Sequence, residues 1–148
     1  MKRVSLIALL LVFGFFGTQV RAQDNTTPGP VWRVSLYKVK PGKMNDALMD
    51  LRRNFRVVNE EYKRQGLIVD YKVYFNSTTD GPNDWDFAIS TGFKNWAALD
   101  TFPQQADAIT LKHYGTIEKR QAAADARNQW RDVISSRLIR EQTLRPLP

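Results

Sequence analysis

The stretch that decides the fold is VWRVSLYKVKPGKMNDALMDLRRNFRVVNEEYKRQ, residues 31–65. Its first ten residues alternate apolar and polar side chains with the period of a β-strand, and Pro41-Gly42 is expected to end that strand. After the turn, apolar side chains recur at spacings of three and four, which predicts an amphipathic helix of about six turns. The members of this stripe are Met44, Ala47, Leu48, Leu51, Phe55, Val58 and Tyr62. Gly66 is expected to end the helix in a left-handed conformation.

The rest of the chain predicts three more strands and further helices. Leu67–Phe75 and Trp85–Phe93 are predicted strands that form a hairpin across the turn-rich loop 76–84. The pattern then predicts short helices over 94–101 and 103–114 and an Ala-rich helix over 116–132. Residues 133–144 are interpreted as a fourth strand, with the end of the preceding helix as the alternative. This order is that of an α+β, ferredoxin-like split βαβ fold, with a four-stranded antiparallel sheet and helices on one face.

The first 22 residues predict export. Met1-Lys2-Arg3 is followed by an apolar run over 4–17 and by small residues before Ala22, the pattern of a cleaved signal peptide. A membrane anchor is the alternative, but the run is shorter than the roughly 20 residues of a membrane span. We therefore expect a secreted or periplasmic protein without membrane association after cleavage. Residues 23–30 are interpreted as a flexible leader, and 31–148 as a single domain.

Composition excludes several classes of function. Removal of residues 1–22 takes away three basic residues and no acidic one, so the formal charge falls from +7 to +4. A mild charge carried by residues of both signs does not indicate a nucleic-acid partner. The chain has no cysteine, so it has no disulfide, and with one histidine a zinc site is not expected. No cofactor and no metal site is predicted; Asp80, Asn83, Asp84 and Asp86 fit turn chemistry better than a calcium loop.

The predicted sheet suggests where a site would lie. Polar side chains are expected to share the face that the helices leave bare, as lining of a cavity or of an interface: Arg33, Ser35, Tyr37, Lys72, Tyr74, Asp86 and Ser90. The alternative is that the charged ones, with Asp70, form ion pairs at a rim. The same face also carries apolar residues, which favours pairing with a second copy in a homodimer.

Candidate catalytic residues are His113, Tyr37 and Asp70. His113 is the only histidine, and it is either a haem ligand or general base, or a structural residue near a helix C-terminus. The sequence has no G-x-S-x-G motif, no cysteine nucleophile and no glycine-rich phosphate loop.

Two groups of residues carry a family resemblance. The opening Leu36-Tyr37-Lys38-Val39-Lys40-Pro41-Gly42-Lys43, and Asp84-Trp85-Asp86 followed by Asn95-Trp96-Ala97-Ala98-Leu99, resemble the dimeric α+β barrel superfamily. Within it, the chain is most similar to the NIPSNAP-like and antibiotic-biosynthesis-monooxygenase-like branches. The resemblance implies two ferredoxin-like sheets paired into a barrel. Haem-degrading relatives combine an Asn, a Trp and a His; Asn95, Trp96 and His113 are of those types but do not follow that spacing, so the roles are not transferred.

The resulting prediction is an exported homodimeric α+β barrel protein with a small-molecule cavity between sheet and helices, active in binding or protein association. The alternative is a cofactor-independent monooxygenase-like enzyme acting on an aromatic or quinol-type substrate. Haem binding through His113 is the third hypothesis. The sequence leaves open whether the protein is an enzyme.

Overall fold

The computed structural model describes residues 25–78 and 80–147. One four-stranded antiparallel sheet in the order β2-β3-β1-β4 carries all of its helices on one face. This arrangement confirms the predicted ferredoxin-like fold. The elements in chain order are β1 (Thr26–Val39), α1 (Met44–Asp50), a π-helical segment (Leu51–Phe55), α2 (Arg56–Arg64), β2 (Asp70–Phe75), β3 (Phe87–Phe93), α3 (Trp96–Tyr114), α4 (Ile117–Trp130) and β4 (Arg131–Leu144).

The predicted first helix is confirmed, and it contains one irregularity. α1, the π segment and α2 follow one another without a break, and Gly66 ends the run at a φ of 73°. A left-handed residue at that position is the conformation that glycine adopts at little steric cost. The backbone hydrogen bonds of a π segment span one residue more than those of an α-helix, and such segments are often found at functional sites.

The prediction of two short helices over 94–114 is wrong, because α3 continues through Pro103 as one helix of 19 residues. Asn95 fixes its start, since the side-chain Oδ1 accepts a hydrogen bond from the backbone N–H of Ala98 at 2.9 Å. Pro103 removes one backbone donor, but buried Leu99 and Ile109 on either side of it hold the helix against the core. The break between α3 and α4 falls at Gly115, whose φ is 85°.

Both ends of the described chain belong to the sheet. Residues 26–30, predicted as part of a flexible leader, are strand residues of β1, and Thr26 pairs with Leu144. Pro28 and Pro30 are tolerated there because β3 ends opposite Val31, so β1 is an edge strand beyond that point. Residues 133–144 are strand, as predicted, and not the end of a helix. The predicted signal peptide, residues 1–22, lies outside the described residues.

The core consists of two separate apolar clusters between sheet and helices. The first cluster contains Val31, Val58, Tyr62, Ile68, Phe93, Leu99, Ala106 and Ile109. The second contains Val39, Ala47, Leu51, Phe87, Ile89 and Trp130. Within residues 25–78 and 80–147, no helix is both long enough and apolar enough to cross a membrane.

Candidate functional site

The strand register corrects the predicted location of the site. Residues paired directly across an antiparallel sheet share a face. Arg33 pairs with Thr91, Ser35 with Ile89 and Tyr37 with Phe87, so these three residues of β1 lie on the helix-covered face. Lys72 pairs with Ser90 and Tyr74 with Ala88, on the opposite face. The seven polar residues predicted to share the bare face are therefore divided between the two faces, and that prediction is wrong.

The helix-covered face of β1 is apolar at both ends and polar in the middle. Val31 belongs to the first core cluster and Val39 to the second. Between them, on the same row, lie Arg33, Ser35 and Tyr37. Ser35 is only 8% exposed, and its hydroxyl is satisfied by the hydroxyl of Ser136 on β4 at 2.9 Å. The interior of the protein is thus interrupted by a polar zone where the two clusters leave a gap.

A pocket of about 500 Å³ occupies this gap, and we call it the polar pocket. This volume lies within the range of roughly 300–1,000 Å³ that is typical of small-molecule sites. Its wall is built from every layer of the fold: Arg33, Ser35, Tyr37, Ile89, Thr91 and Arg131 of the sheet, Asp50, Asn54, Phe55, Val58, Asn59 and Tyr62 of the first helical run, and Thr110, Tyr114, Arg120, Gln121, Ala124 and Arg127 of α3 and α4. Four of these side chains are arginines and one is a carboxylate.

Asp50 organises one wall of the polar pocket. Its Oδ1 accepts a hydrogen bond from Asn54 Nδ2 at 2.7 Å and lies 3.5 Å from Arg127 Nη1. The side chains of Asp50 and Arg127 are 13% and 21% exposed, so solvent screens this ion pair only in part. Arg127 Nη1 also donates to the hydroxyl of Tyr114 at 3.1 Å. One carboxylate oxygen, Oδ1, therefore contacts both Asn54 and Arg127.

The other three arginines differ in their partners. Arg120 is paired with Asp107, outside the pocket wall. Arg131 lies with its guanidinium carbon 4.2 Å from the centroid of the Tyr37 ring and 5.0 Å from that of Trp130, and burial lowers the pKa of Arg131. The guanidinium carbon of Arg33 is 5.5 Å from the centroid of the Phe93 ring. Within the described chain, neither Arg33 nor Arg131 has a carboxylate partner.

His113 does not line the polar pocket, but it contacts Asn54 and Tyr114 of the pocket wall. Its Nε2 is 3.0 Å from Asn54 Oδ1, and because Asn54 Nδ2 donates to Asp50, the imidazole nitrogen is the donor in this pair. His113 itself lies beside a groove between α2 and α3 on the outside of the protein. Asn95 caps α3 and Trp96 is 43% exposed, so neither accompanies His113 in one site. Haem binding through His113 stays a prediction.

The remaining predicted residues lie at the sheet edge and on its bare face. Asp70 accepts a hydrogen bond from Lys63 Nζ at 2.8 Å, and that lysine lowers the pKa of Asp70. The carboxylate of Asp86 accepts hydrogen bonds from Lys38 Nζ at 3.1 Å and from the backbone N–H of Val39 at 2.6 Å. These contacts agree with the alternative interpretation as ion pairs at a rim. Of the three catalytic candidates, only Tyr37 lines the polar pocket.

The bare face of the sheet carries an apolar row of its own. Trp32, Val34 and Leu36 point to it from β1, since they pair with Gly92, Ser90 and Ala88. Ile139 and Tyr74 extend the row onto β4 and β2, and they are 52% and 46% exposed. Ser90 is 3% exposed, and its hydroxyl has no hydrogen-bond partner within residues 25–78 and 80–147.

Sequence reasoning missed most of the polar pocket. Asp50, Asn54, Arg127 and Arg131 were not candidates, because nothing in their local sequence places them against β1. A signal was present in the polar residues Asp50, Asn54 and Asn59, which border the apolar stripe of the first helix. In the loop predicted over 76–84, Asp84 makes contacts typical of a turn: its carboxylate accepts hydrogen bonds from the backbone N–H groups of Asp80 and Trp85, which lower its pKa.

Of the comparisons with known proteins, only the one with solved structures found matches. The sequence matches no protein-family model and no curated protein. Among solved structures, the chain is similar to HapK from Hahella chejuensis, with 8% identity, a TM-score of 0.51, and coverage of 75% of this chain and 91% of that one. A protein from Bacteroides fragilis, described as dimeric, ferredoxin-like and of unknown function, matches at 17% identity and a TM-score of 0.43 over 78% and 97% of the two chains. A hypothetical protein from Arabidopsis thaliana matches at 10% identity and a TM-score of 0.45 over 81% and 91%.

At such low identities the similarity to HapK supports the fold alone. The class of protein defined here is therefore a ferredoxin-like α+β domain with a polar pocket between sheet and helices. The structure has the ferredoxin-like fold that the resemblance to the dimeric α+β barrel superfamily implies, and membership of that superfamily stays a prediction. The monooxygenase-like reaction stays a prediction.

Proposed function

We propose that this protein binds a small organic molecule in the polar pocket. The observation that carries the proposal is the polar middle of β1, where Arg33, Ser35 and Tyr37 interrupt a row that is apolar at both ends. If no ligand bound here, apolar side chains at these three positions would make the protein more stable. Burying a polar group costs free energy unless the group forms a hydrogen bond or an ion pair. Places where a sequence departs from the rules of core packing are often functional sites.

The arrangement supports binding better than any specific reaction. The one carboxylate on the pocket wall, Asp50, already holds Asn54 and Arg127, which makes it a poor general base. Tyr37 and Tyr114 contribute rings and hydroxyl groups, and the pocket reaches all layers of the fold. Such a mixture of aromatic surface and a few polar groups is typical of sites that orient one ligand.

A matched pair of substitutions on α4 tests this proposal. Ala124 lies on the pocket wall, whereas Ala126 is exposed on the same helix and outside the wall. A library of small metabolites would be screened by thermal shift against the protein and against the Ala124→Phe and Ala126→Phe variants. We expect stabilising compounds that lose their effect in Ala124→Phe and keep it in Ala126→Phe. Compounds that act equally on a folded Ala124→Phe variant would contradict the proposal; circular dichroism checks that the variant is folded.

We also propose that the protein is a homodimer joined through the bare face of the sheet. Trp32, Val34 and Ile139 would otherwise leave a contiguous apolar surface in water, which monomers seldom expose. The same face carries charges of both signs, among them Lys72 and Glu141, so it can complement itself about a two-fold axis. Light scattering on the purified protein should give twice the mass of one chain.

Export, with removal of residues 1–22, is the third part of the proposal. It is supported by the basic start, apolar run and small residues of positions 1–22. The intact mass of protein recovered from the host should correspond to a chain that begins at Gln23. A chain that retains Met1 and stays inside the cell would contradict it.

A further inference from the structure

We infer that the ligand of the polar pocket is an organic anion, whose carboxylate or phosphate group is bound by the guanidinium of Arg131 and attracted by that of Arg33. This inference rests on the proposed function and specifies the chemistry of its ligand.

The charges on the pocket wall are unbalanced. Arg33, Arg120, Arg127 and Arg131 line the pocket, against the single carboxylate of Asp50. Asp50 is paired with Arg127, and Arg120 is paired with Asp107 behind the wall. Two guanidinium groups therefore face the pocket without a carboxylate partner in the described chain. A cavity lined by one sign of charge attracts ligands of the other sign.

Arg131 is the stronger of the two anchors. It is partly buried, and burial of a cation without an anionic partner is unfavourable. The rings of Tyr37 and Trp130 contact the guanidinium, but its N–H groups make no hydrogen bond to any described residue. A guanidinium held in place by rings keeps its donors available in a fixed fork, which matches the two oxygens of a carboxylate or phosphate.

Arg33 is placed to act at longer range. It lines the pocket from β1 but its side chain is exposed, so a direct ion pair there would be weakened by water and salt. Its charge still raises the local concentration of anions at low ionic strength. The ligand's affinity should accordingly decrease as salt is added.

The rest of the wall fits an aromatic or flat apolar body. Tyr37, Phe55, Tyr62 and Tyr114 line the pocket, and Tyr37 stacks on Phe87 at a centroid distance of 4.9 Å. The hydroxyl of Tyr37 makes no hydrogen bond to any described residue, so it is available to a ligand beside Arg131. An aromatic ring that carries an acidic group uses both kinds of surface.

Three probes that share a phenyl ring and differ in charge test the inference. The gene for the whole chain would be expressed, and the protein recovered from the host would be purified and titrated with benzoate, phenyl phosphate and benzamide by calorimetry at low salt. Benzoate or phenyl phosphate should bind more tightly than neutral benzamide, and the better of the two identifies the anionic group. Raising the salt concentration from about 0.05 to about 0.5 M should lower the affinity for benzoate and phenyl phosphate and leave the affinity for benzamide unchanged.

A charge-matched pair of variants assigns the effect to the pocket. Arg131→Gln should reduce the affinity for the preferred anion by about 10- to 100-fold, the loss expected for a charge-assisted bidentate contact. Arg53→Gln removes the same charge from an exposed position on the π segment and should change the affinity little. Arg131→Lys, which keeps the charge without the fork, should fall between wild type and Arg131→Gln.

The outcomes separate this inference from the proposed function. If compounds bind in a manner that Ala124→Phe abolishes, but neutral ones bind as tightly as acids and Arg131→Gln has no effect, the pocket is a binding site and the anion inference is wrong. If benzoate and phenyl phosphate bind and Ala124→Phe does not weaken them, the proposed site itself is wrong. Absence of any benzoate or phenyl phosphate binding at millimolar concentration would also overturn the anion inference.

Discussion

Asp50→Asn should have opposite effects on stability and on ligand affinity. The side chain is 13% exposed, accepts from Asn54 at 2.7 Å and lies 3.5 Å from the Arg127 guanidinium. Asparagine has the same shape, so the change removes the charge and little else. We expect the free energy of unfolding to fall by about 1–2 kcal/mol, since the ion pair is partly screened and long. For a domain of this size that corresponds to a decrease of about 4–8 °C in the melting temperature.

The same substitution should strengthen anion binding. A sphere of the pocket's volume has a radius of about 5 Å, so a bound anion lies roughly 5–10 Å from the Asp50 carboxylate. Repulsion at about 8 Å, with an effective dielectric constant of about 40, is worth about 1 kcal/mol, or about fivefold in affinity. Arg127, released from Asp50, would add to this gain.

Asp46→Asn is the matched control. Asp46 lies on α1, 53% exposed and paired with Lys43, away from the pocket wall. Its substitution should leave the free energy of unfolding and the affinity for benzoate nearly unchanged. Urea unfolding and calorimetric titration with benzoate measure the two effects. A folded Asp50→Asn protein that binds benzoate no better than wild type would refute the assigned electrostatics of the pocket.

Three further predictions test the fold and the assembly. Gly92→Ala should destabilise the protein by about 1–3 kcal/mol, because a Cβ there would lie 2.9 Å from the Trp32 ring and from Val69; adding Trp32→Ala should recover part of the loss in a double-mutant cycle, and simple additivity would contradict this reason. Burial, together with the hydrogen bond to Glu60, raises the pKa of Tyr71 to about 12. The folded state therefore holds this proton more tightly, so the stabilisation is complete below pH 10 and is lost towards pH 12. In Tyr71→Phe, the free energy of unfolding measured in urea should depend less on pH between pH 10 and pH 12. A variant with the same pH profile as the wild type would show that Tyr71 is not the group responsible. Ile139→Arg, on the bare face, should halve the mass seen by light scattering, whereas Met49→Arg on α1 should not; a dimer that survives Ile139→Arg would place the interface elsewhere.

The fold was predictable because its strands and first helix have strong local patterns. The alternation in 70–75 and 87–93 assigned each side chain of β2 and β3 to the correct row. The faces of β1 were inverted for a physical reason. The prediction assumed that the more apolar row, with Trp32, Val34 and Leu36, lies under the helices, but that row lies on the bare face. The alternation of residues along β1 separates its side chains into two rows, but it does not show which row the helices cover.

The polar pocket depends on tertiary placement that no local pattern contains. Arg127 and Arg131 lie on either side of the junction between α4 and β4, where the sequence shows only the end of a helix. Their approach to Asp50 and Tyr37 follows from the packing of α4 beside the first helical run. The predicted break at Pro103 was wrong because core contacts on both sides of the proline outweigh its local effect on the helix.

The pairing of β1 with β4 has a consequence for engineering this chain. Thr26 lies opposite Leu144, and the backbone N–H of Arg145 donates to the carbonyl of Asn25 at 2.8 Å. The two ends of the described domain are thus neighbours, so a short peptide could join them and the chain could be reopened between the exposed residues Pro82 and Asn83. In such a circular permutant the strand order and the polar pocket would persist, while β1 and β4 would become a hairpin. The new N- and C-termini would then lie beside Asp84, and no longer beside β1 and β4.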